Sequence, residues 1–352
     1  MSRRPSRRPL RQLAAVASGT LLGFSSALAA DPEPAKVFDA LQQSVQAVFE
    51  KCRSAVVRIE GTDRHGQLSG TGFFIDPNGT LYTSYTVGGE ARDLVVSVGN
   101  ERYPARRLVS DLRSGVAILK IEAETPFLPP GNSRALSVAS PVIAVGYPMD
   151  LPLTPAFGTI GGFDLKYQGR YFTTTHLRAN IAVQRGEGGA PILNPHGEVV
   201  GILISRLDSG SASFVLPIEA AEKIRRDFVR FREARPGWIG VHVKTLEEPV
   251  SGSTAAIQQV IPDAPCEKAG LRTGDVLLQV GAHRITSPED MIDASFFLSA
   301  EDETIVRVAR EGSEREFSVM PVYHPDAARP PIPALGSIGE TAAPSLKMES
   351  NR

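Results

Sequence analysis

Near the start of the chain, apolar positions fall four apart. In VFDALQQSVQAVFEKC, Val37, Leu41, Val45 and Phe49 make one stripe, which predicts a helix over residues 33–51. From there to about residue 217 the pattern changes to short runs rich in Val, Ile, Phe and Thr: AVVRIEG, TGFFID, LVVSVG, VAILKIE, VIAVGYP, RYFTTT, NIAVQ, EVVGILIS and SASFVLPI. Turn residues punctuate them, as in DPNG (Asp76–Gly79) and NPHG (Asn194–Gly197). Many short strands with few helices predict an all-β barrel or sandwich. Helical spacing returns in IEAAEKIRRDFVRFREA, Ile218–Ala234, and stops at Pro236-Gly237. A second strand-rich unit runs from Trp238 to about Val322, broken by one helix that Ser287 would cap and Pro288 would open. The last thirty residues carry Pro325, Pro330, Pro331, Pro333 and Pro344 without an apolar period, and read as a disordered tail.

A chain of 352 residues suits two or three domains, and 42% hydrophobic with 22% charged residues is the balance of a soluble globular protein. The net charge of −1 hides an asymmetry: Arg3, Arg4, Arg7, Arg8 and Arg11 crowd an acid-free start. Removing these five from the 38 basic residues leaves 33 against 39 acidic ones, a charge of −6, which excludes a nucleic-acid partner. The basic start, the weakly apolar run LAAVASGTLLGFSSALA and the end Ala27-Leu28-Ala29 read as a signal peptide over residues 1–29. SRRPLRQL, Ser6–Leu13, is similar to a twin-arginine export motif, although Leu10 and Arg11 depart from its usual apolar pair, so the general and twin-arginine routes both stay open. The two cysteines, Cys52 and Cys266, are far apart and outside any CxxC, which allows two free thiols or one interdomain disulfide. No His, Cys or acid cluster has metal-ligand spacing, and neither a metal nor a cofactor is expected.

One stretch poses a chemical question. QRGEGGAPILN, Gln184–Asn194, has the layout of a nucleophile loop, with Gly188 three residues before the Pro. A lost active site, a chance glycine turn and a protease with its nucleophile elsewhere are all readings of it. The wider sequence resembles the HtrA/Deg family, exported trypsin-like serine proteases followed by a PDZ domain. The likeness covers about residues 45–322 and rests on six motifs in order. VQAVFEKCRSAVVRIEG looks like the family's domain entry. GTGFFIDPNGTLYTSYTV resembles G-S-G-F-I-I-D-x-x-G-Y-I-L-T-N-x-H-V, and DLRSGVAILKI resembles D-x-x-T-D-L-A-V-L-K-I. VIAVGYPMDL is similar to A-I-G-N-P-F-G-L. RGEGGAPILNPHGEVVGI is similar to G-N-S-G-G-P-L-x-N-x-x-G-x-V-I-G-I. FVLPIEAAEKI followed by GWIGV looks like the exit helix and first PDZ strand.

The resemblance implies a mainly β chain, a chymotrypsin/trypsin-like double β-barrel followed by a PDZ domain. It divides the chain into an N-terminal helix (30–51), a degenerate protease domain (52–220), a linker helix (221–236), a PDZ domain (237–322) and the tail (323–352). In the same register the family's catalytic Ser, His and Asp fall on Gly188, Thr86 and Gly115. A serine hydroxyl needs a base to take its proton and an acid to orient that base. Glycine offers no side chain, and threonine is no base near neutral pH. Loss of such a triad costs on the order of 10⁶ in turnover, about 8 kcal/mol of barrier. The amides of Gly186 and Gly188 stand where the oxyanion hole would lie. Arg185 and Glu187 beside them read as solvated loop charges. His65, His176 and His196, with Ser84, Ser205, Ser209, Ser211 and Ser213, could only rebuild a site if the fold brought a pair together.

PDZ domains bind an extended peptide as an added strand and hold its terminal carboxylate on backbone amides. The resemblance places that loop at Gly237-Trp238-Ile239-Gly240-Val241, with Ile239 and Val241 flanking a pocket opposite Met291 and Ser295. APCEKAGLRTGDVLLQVGAHRITSPEDM is similar to the family's run through most of its length, and Gly270, Gly274 and Asp275 in it read as turn chemistry. The resulting expectation is an exported, periplasmic pseudoprotease. It would bind protein C-termini and exposed β-segments as an adaptor, a chaperone-like binder or a regulator of an active HtrA-like protease. The resemblance also allows a homo-oligomer. The alternatives are a serine endopeptidase with a relocated site and a purely structural envelope protein.

Overall fold

The computed structural model describes residues 34–164, 173–206 and 212–325. The expected signal peptide, Ser209, Ser211 and all of the tail beyond Pro325 lie outside them. The apolar stripe forms helix α1 (Pro34–Cys52), and its Val45, Val48, Phe49 and Cys52 pack onto the main core.

Seven antiparallel strands follow: β1 (Val56–Asp63), β2 (Gly66–Phe74), β3 (Thr80–Ser84), β4 (Arg92–Val98), β5 (Glu101–Pro104), β6 (Arg106–Asp111) and β7 (Val116–Lys120). A single helical turn, α2 (Tyr85–Gly88), sits between β3 and β4. The sheet order is β5-β4-β1-β2-β3-β7-β6, so this half is an open sheet and corrects the expectation of two closed barrels. The ladder stops at β5, a four-residue strand ending in Pro104, which has no amide to donate. The second half does close. Strands β8 (Pro141–Gly146), β9 (Thr154–Asp164), β10 (His176–Ala179), β11 (Pro191–Leu193), β12 (Val199–Arg206) and β13 (Ser213–Pro217) form a barrel in the order β10-β13-β12-β11-β8-β9.

Two-residue periodicity explains how one strand serves two cores. Along β8, Val142 and Ala144 enter the barrel interior, while Ile143 and Val145 enter the core shared with Phe73 and Tyr82 of the first sheet. In β2, Phe73 joins that shared core and Phe74 the interior of its own sheet. The seam between the two halves is therefore apolar, and the loops that meet at its rim are held to both.

Helix α3 (Ile218–Phe231) leads out of the barrel and ends earlier than its sequence pattern predicts. Arg232 turns left-handed (φ 67°) and its amide bonds to Phe228, which closes the last turn. The helix carries a buried ion pair, Lys223 Nζ to Asp227 Oδ2 at 2.7 Å, with the two side chains 1% and 4% exposed. Asp227 also accepts the Arg235 amide (2.8 Å) and the Ser299 hydroxyl (2.6 Å), so one carboxylate ties the barrel's exit helix to the second unit.

That unit comprises β14 (Val241–Val250), β15 (Ser253–Val260), α4 (Pro265–Lys268), β16 (Val276–Val280), β17 (His283–Arg284), α5 (Pro288–Phe296), β18 (Thr304–Arg310) and β19 (Ser313–Val319). Strand order is β14-β15-β16-β18-β19, with β17 on β16, and β14 is an edge. Ser287 and Asp290 form a reciprocal capping box at α5 with Pro288 in its first turn, as the sequence predicts. Both cysteines are free and buried, one in each core, and burial pushes each thiol up to about 12.

Candidate functional site

The loop Gln184–Ala190 lies against β2 and β3. Gly186 (φ +95°) and Gly189 (φ +89°) are left-handed, and a Cβ on them would stand 2.3 Å from the Tyr147 oxygen and 2.2 Å from the Thr71 oxygen. Only glycine fits such approaches. Thr71 clamps the loop: its hydroxyl donates to the Gly186 oxygen (2.7 Å) and its amide to the Gly188 oxygen (3.0 Å). Glu187, expected as a solvated charge, is buried (6% exposed) and accepts the Gln184 amide at 2.6 Å. Burial raises its carboxyl, partly offset by that amide. Arg185 is exposed and reaches Asp150 at 3.4 Å.

The fold brings the three aligned positions to one place. A Cβ on Gly188 would lie 3.1 Å from Ser84 Oγ and 3.7 Å from Thr86 Oγ1, and those two hydroxyls are 2.9 Å apart. Gly115 joins them through its oxygen, which accepts the Tyr85 amide at 2.6 Å. Gly115 is itself left-handed (φ +78°), and Ile204 Cγ2 stands 2.7 Å from where its Cβ would be. Hydroxyls and aliphatic carbons thus surround the position of the family's nucleophile. Ser84, fully buried, is the residue that sequence reasoning did not single out from the other serines. Its signal is its place two residues before Thr86 at the end of β3.

The other candidates go elsewhere. His176 has no exposed surface, and its Nδ1 lies 2.9 Å from the Thr174 oxygen. Burial lowers it from 6.5 to about 4, against the backbone groups of Thr174 and Ser114 and the Asp293 carboxylate. It is a weak base out of reach of substrate. Ser213 Oγ turns to the Ala179 oxygen at 3.4 Å, and Ser205, His65 and His196 are exposed.

In the second unit the Trp238 amide donates to the Val322 oxygen (2.7 Å) and the Gly237 amide to the Leu298 oxygen (3.0 Å). Gly240 is left-handed (φ +81°), with Ala264 Cβ 2.2 Å from where its own Cβ would be. Ile239 (3% exposed) and Met291 (6%) belong to the core of this unit, with Val241 packed on it, and Ser295 Oγ donates to the Ile292 oxygen. Helix α5 is moored to the barrel, since Asp293 accepts the Thr174 hydroxyl (2.7 Å) and the Thr175 amide (2.8 Å). Sequence alone did not signal this mooring, because its partners are more than a hundred residues apart.

Residues 70–202 match the trypsin-like peptidase domain family and residues 237–320 the PDZ domain family. A probable periplasmic serine endoprotease, DegP-like, from Pseudomonas fulva is 28% identical over 310 residues, covering 83% of this chain and 62% of the relative. A relative of the same name from Halomonas elongata is 28% identical over 301 residues, covering 82% and 62%. The chain is similar to HtrA/Deg-family proteins in carrying a trypsin-like domain followed by a PDZ domain. It spans about 62% of the length of these two relatives. Solved structures agree on the fold of this HtrA-like chain. The HtrA-type protease AlgW with a tripeptide superposes with a TM-score of 0.65 at 20% identity, covering 79% of this chain and 96% of that one. A serine endoprotease from Yersinia pestis gives 0.56 at 23% identity, covering 79% and 97%.

Proposed function

We propose that this HtrA-like protein is exported and proteolytically inactive, and that its PDZ domain binds protein C-termini or extended segments in the envelope as part of protein quality control. The observation that carries the reading is the convergence of Thr86, Gly115 and Gly188 on one spot with neither base nor acid among them. The backbone at Gly115 supports it, because its left-handed turn against Ile204 is shaped for a residue without a side chain. Export rests on the signal-like residues 1–29 and on the periplasmic names of the relatives. N-terminal sequencing of envelope protein tests it, and an intact Met1 in the cytoplasm contradicts it.

The binding role rests on the edge strand β14 beside α5, which leaves a ladder open to an added strand. Trp238 spends its amide on Val322, so the loop offers a carboxylate the amides of Ile239 and Gly240. Peptides with apolar C-termini should bind at roughly micromolar affinity, about −8 kcal/mol. Calorimetry with free-acid and C-terminally amidated forms of one peptide tests this. The acid should bind at least ten-fold more tightly. Equal affinities would sink the carboxylate-loop reading. Ile239 sits in the core, so a charge there would report unfolding rather than binding.

A second reading, a serine endopeptidase with a displaced nucleophile, is favoured by the names of the relatives and by the nearness of Ser84 Oγ to Gly188. It requires Ser84→Ala to abolish a measurable degradation of unfolded protein.

A further inference from the structure

The PDZ unit carries a second groove of about 540 Å³ that none of β14 or α5 lines. Its walls include Trp238, Pro262, Pro265, Met320, Val322 and Pro325. Met320 and Val322 are 49% and 39% exposed, and the Trp238 ring meets His324 edge-on at 5.1 Å between centroids. An aromatic flanked by prolines and aliphatic side chains is the surface that proline-rich segments dock against, because such a segment is already extended and loses little entropy on binding.

The chain itself points to the occupant. The described residues end at Pro325, which lines the groove. After Asp326-Ala327-Ala328-Arg329 come Pro330-Pro331-Ile332-Pro333-Ala334-Leu335. Four linking residues span at most about 14 Å, so this segment cannot travel far from the groove. Six residues of polyproline II rise about 19 Å, enough to run along it. A tether this short gives an effective concentration in the millimolar range, at which even a weak contact is well populated. We propose that the groove beside Trp238 binds the segment Pro330–Leu335 of the same chain, covering Met320 and Val322. This holds whether or not the barrel cleaves peptides.

Trp238 is the chain's one tryptophan, so its fluorescence reads the groove directly. The full chain should be compared with a chain ending at Pro325, which keeps His324 and Pro325 in place. The shortened chain should emit further to the red, and acrylamide should quench it roughly two-fold more strongly, as expected if the tether keeps half or more of the grooves filled. A synthetic peptide of residues 326–336 should reverse both changes. Ile332→Asp in the full chain should mimic the truncation, since it sets a charge against an apolar wall. Far-UV circular dichroism checks that each variant is folded. Identical emission and quenching in the full and shortened chains would overturn the proposal. So would a difference that fades on dilution, which would assign the groove to the tail of a second copy, or an Ile332→Asp chain that behaves like wild type.

Discussion

Gly115→Asp would restore the acid that the family resemblance implies, and the local backbone should resist it. Two costs add. A side chain at φ +78° costs about 1–2 kcal/mol of backbone strain. Its Cβ would also stand 2.7 Å from Ile204 Cγ2, and relieving that overlap in a packed seam costs about 1–3 kcal/mol. The total, roughly 2–5 kcal/mol, corresponds to a fall in melting temperature of about 5–15 °C for a unit of this size. Gly188→Ser is the matched control. It has no positive φ to strain, and its nearest neighbour is the Ser84 hydroxyl at 3.1 Å, which needs to give by a few tenths of an ångström. Its cost should stay under about 1 kcal/mol. Urea unfolding of both variants measures the difference. Ile204→Ala in the Gly115→Asp background should recover part of the loss, because the overlap is the coupled part of the cost. A Gly115→Asp protein within about 0.5 kcal/mol of wild type, with no coupling to Ile204, would refute the argument. It would mean that the seam can accept the missing acid.

Two further outcomes follow from buried charges. Asp227→Asn leaves Lys223 buried without its carboxylate and should cost about 3–5 kcal/mol in urea unfolding, while Lys223→Met with Asp227→Leu should recover part of it; a loss under about 1 kcal/mol for Asp227→Asn would contradict the buried pair. His176 is held neutral, with its folded value lowered from 6.5 to about 4, so its contribution is complete above pH 6.5 and is lost as pH falls toward 4. That window is worth about 3 kcal/mol, and His176→Gln should flatten the urea midpoint between pH 7 and pH 4.5 relative to wild type; an unchanged slope would remove His176 from the account.

Local chemistry was the legible part of this sequence. The stripe Val37, Leu41, Val45, Phe49 became a helix, and Ser287-Pro288 opened one with both capping bonds in place. Glycine spacing in Gln184–Asn194 foretold a tight loop, since Gly186 and Gly189 meet backbone that no side chain could approach. What the sequence did not show depended on packing. NIAVQ has the composition of a strand, yet β10 ends at Ala179. Past the bulge at Arg178–Ala179, the Asn180 amide turns to the Thr159 oxygen. Glu187 reads as a loop charge, and only the fold shows it buried on the Gln184 amide. Ile239 and Met291, read from the sequence as a groove pair, pack together in the core of their unit. The open first sheet was hidden for the same reason, because closure depends on which edges meet.

On the proposed function, the spot shared by Thr86, Gly115 and Gly188 holds no activated nucleophile. Intact-mass spectrometry after incubation of the folded protein with a serine-directed fluorophosphonate tests it most directly. The mass should be unchanged at every pH at which the protein stays folded. Stoichiometric addition of one phosphonyl group, mapped to Ser84 or to any other serine, would contradict it.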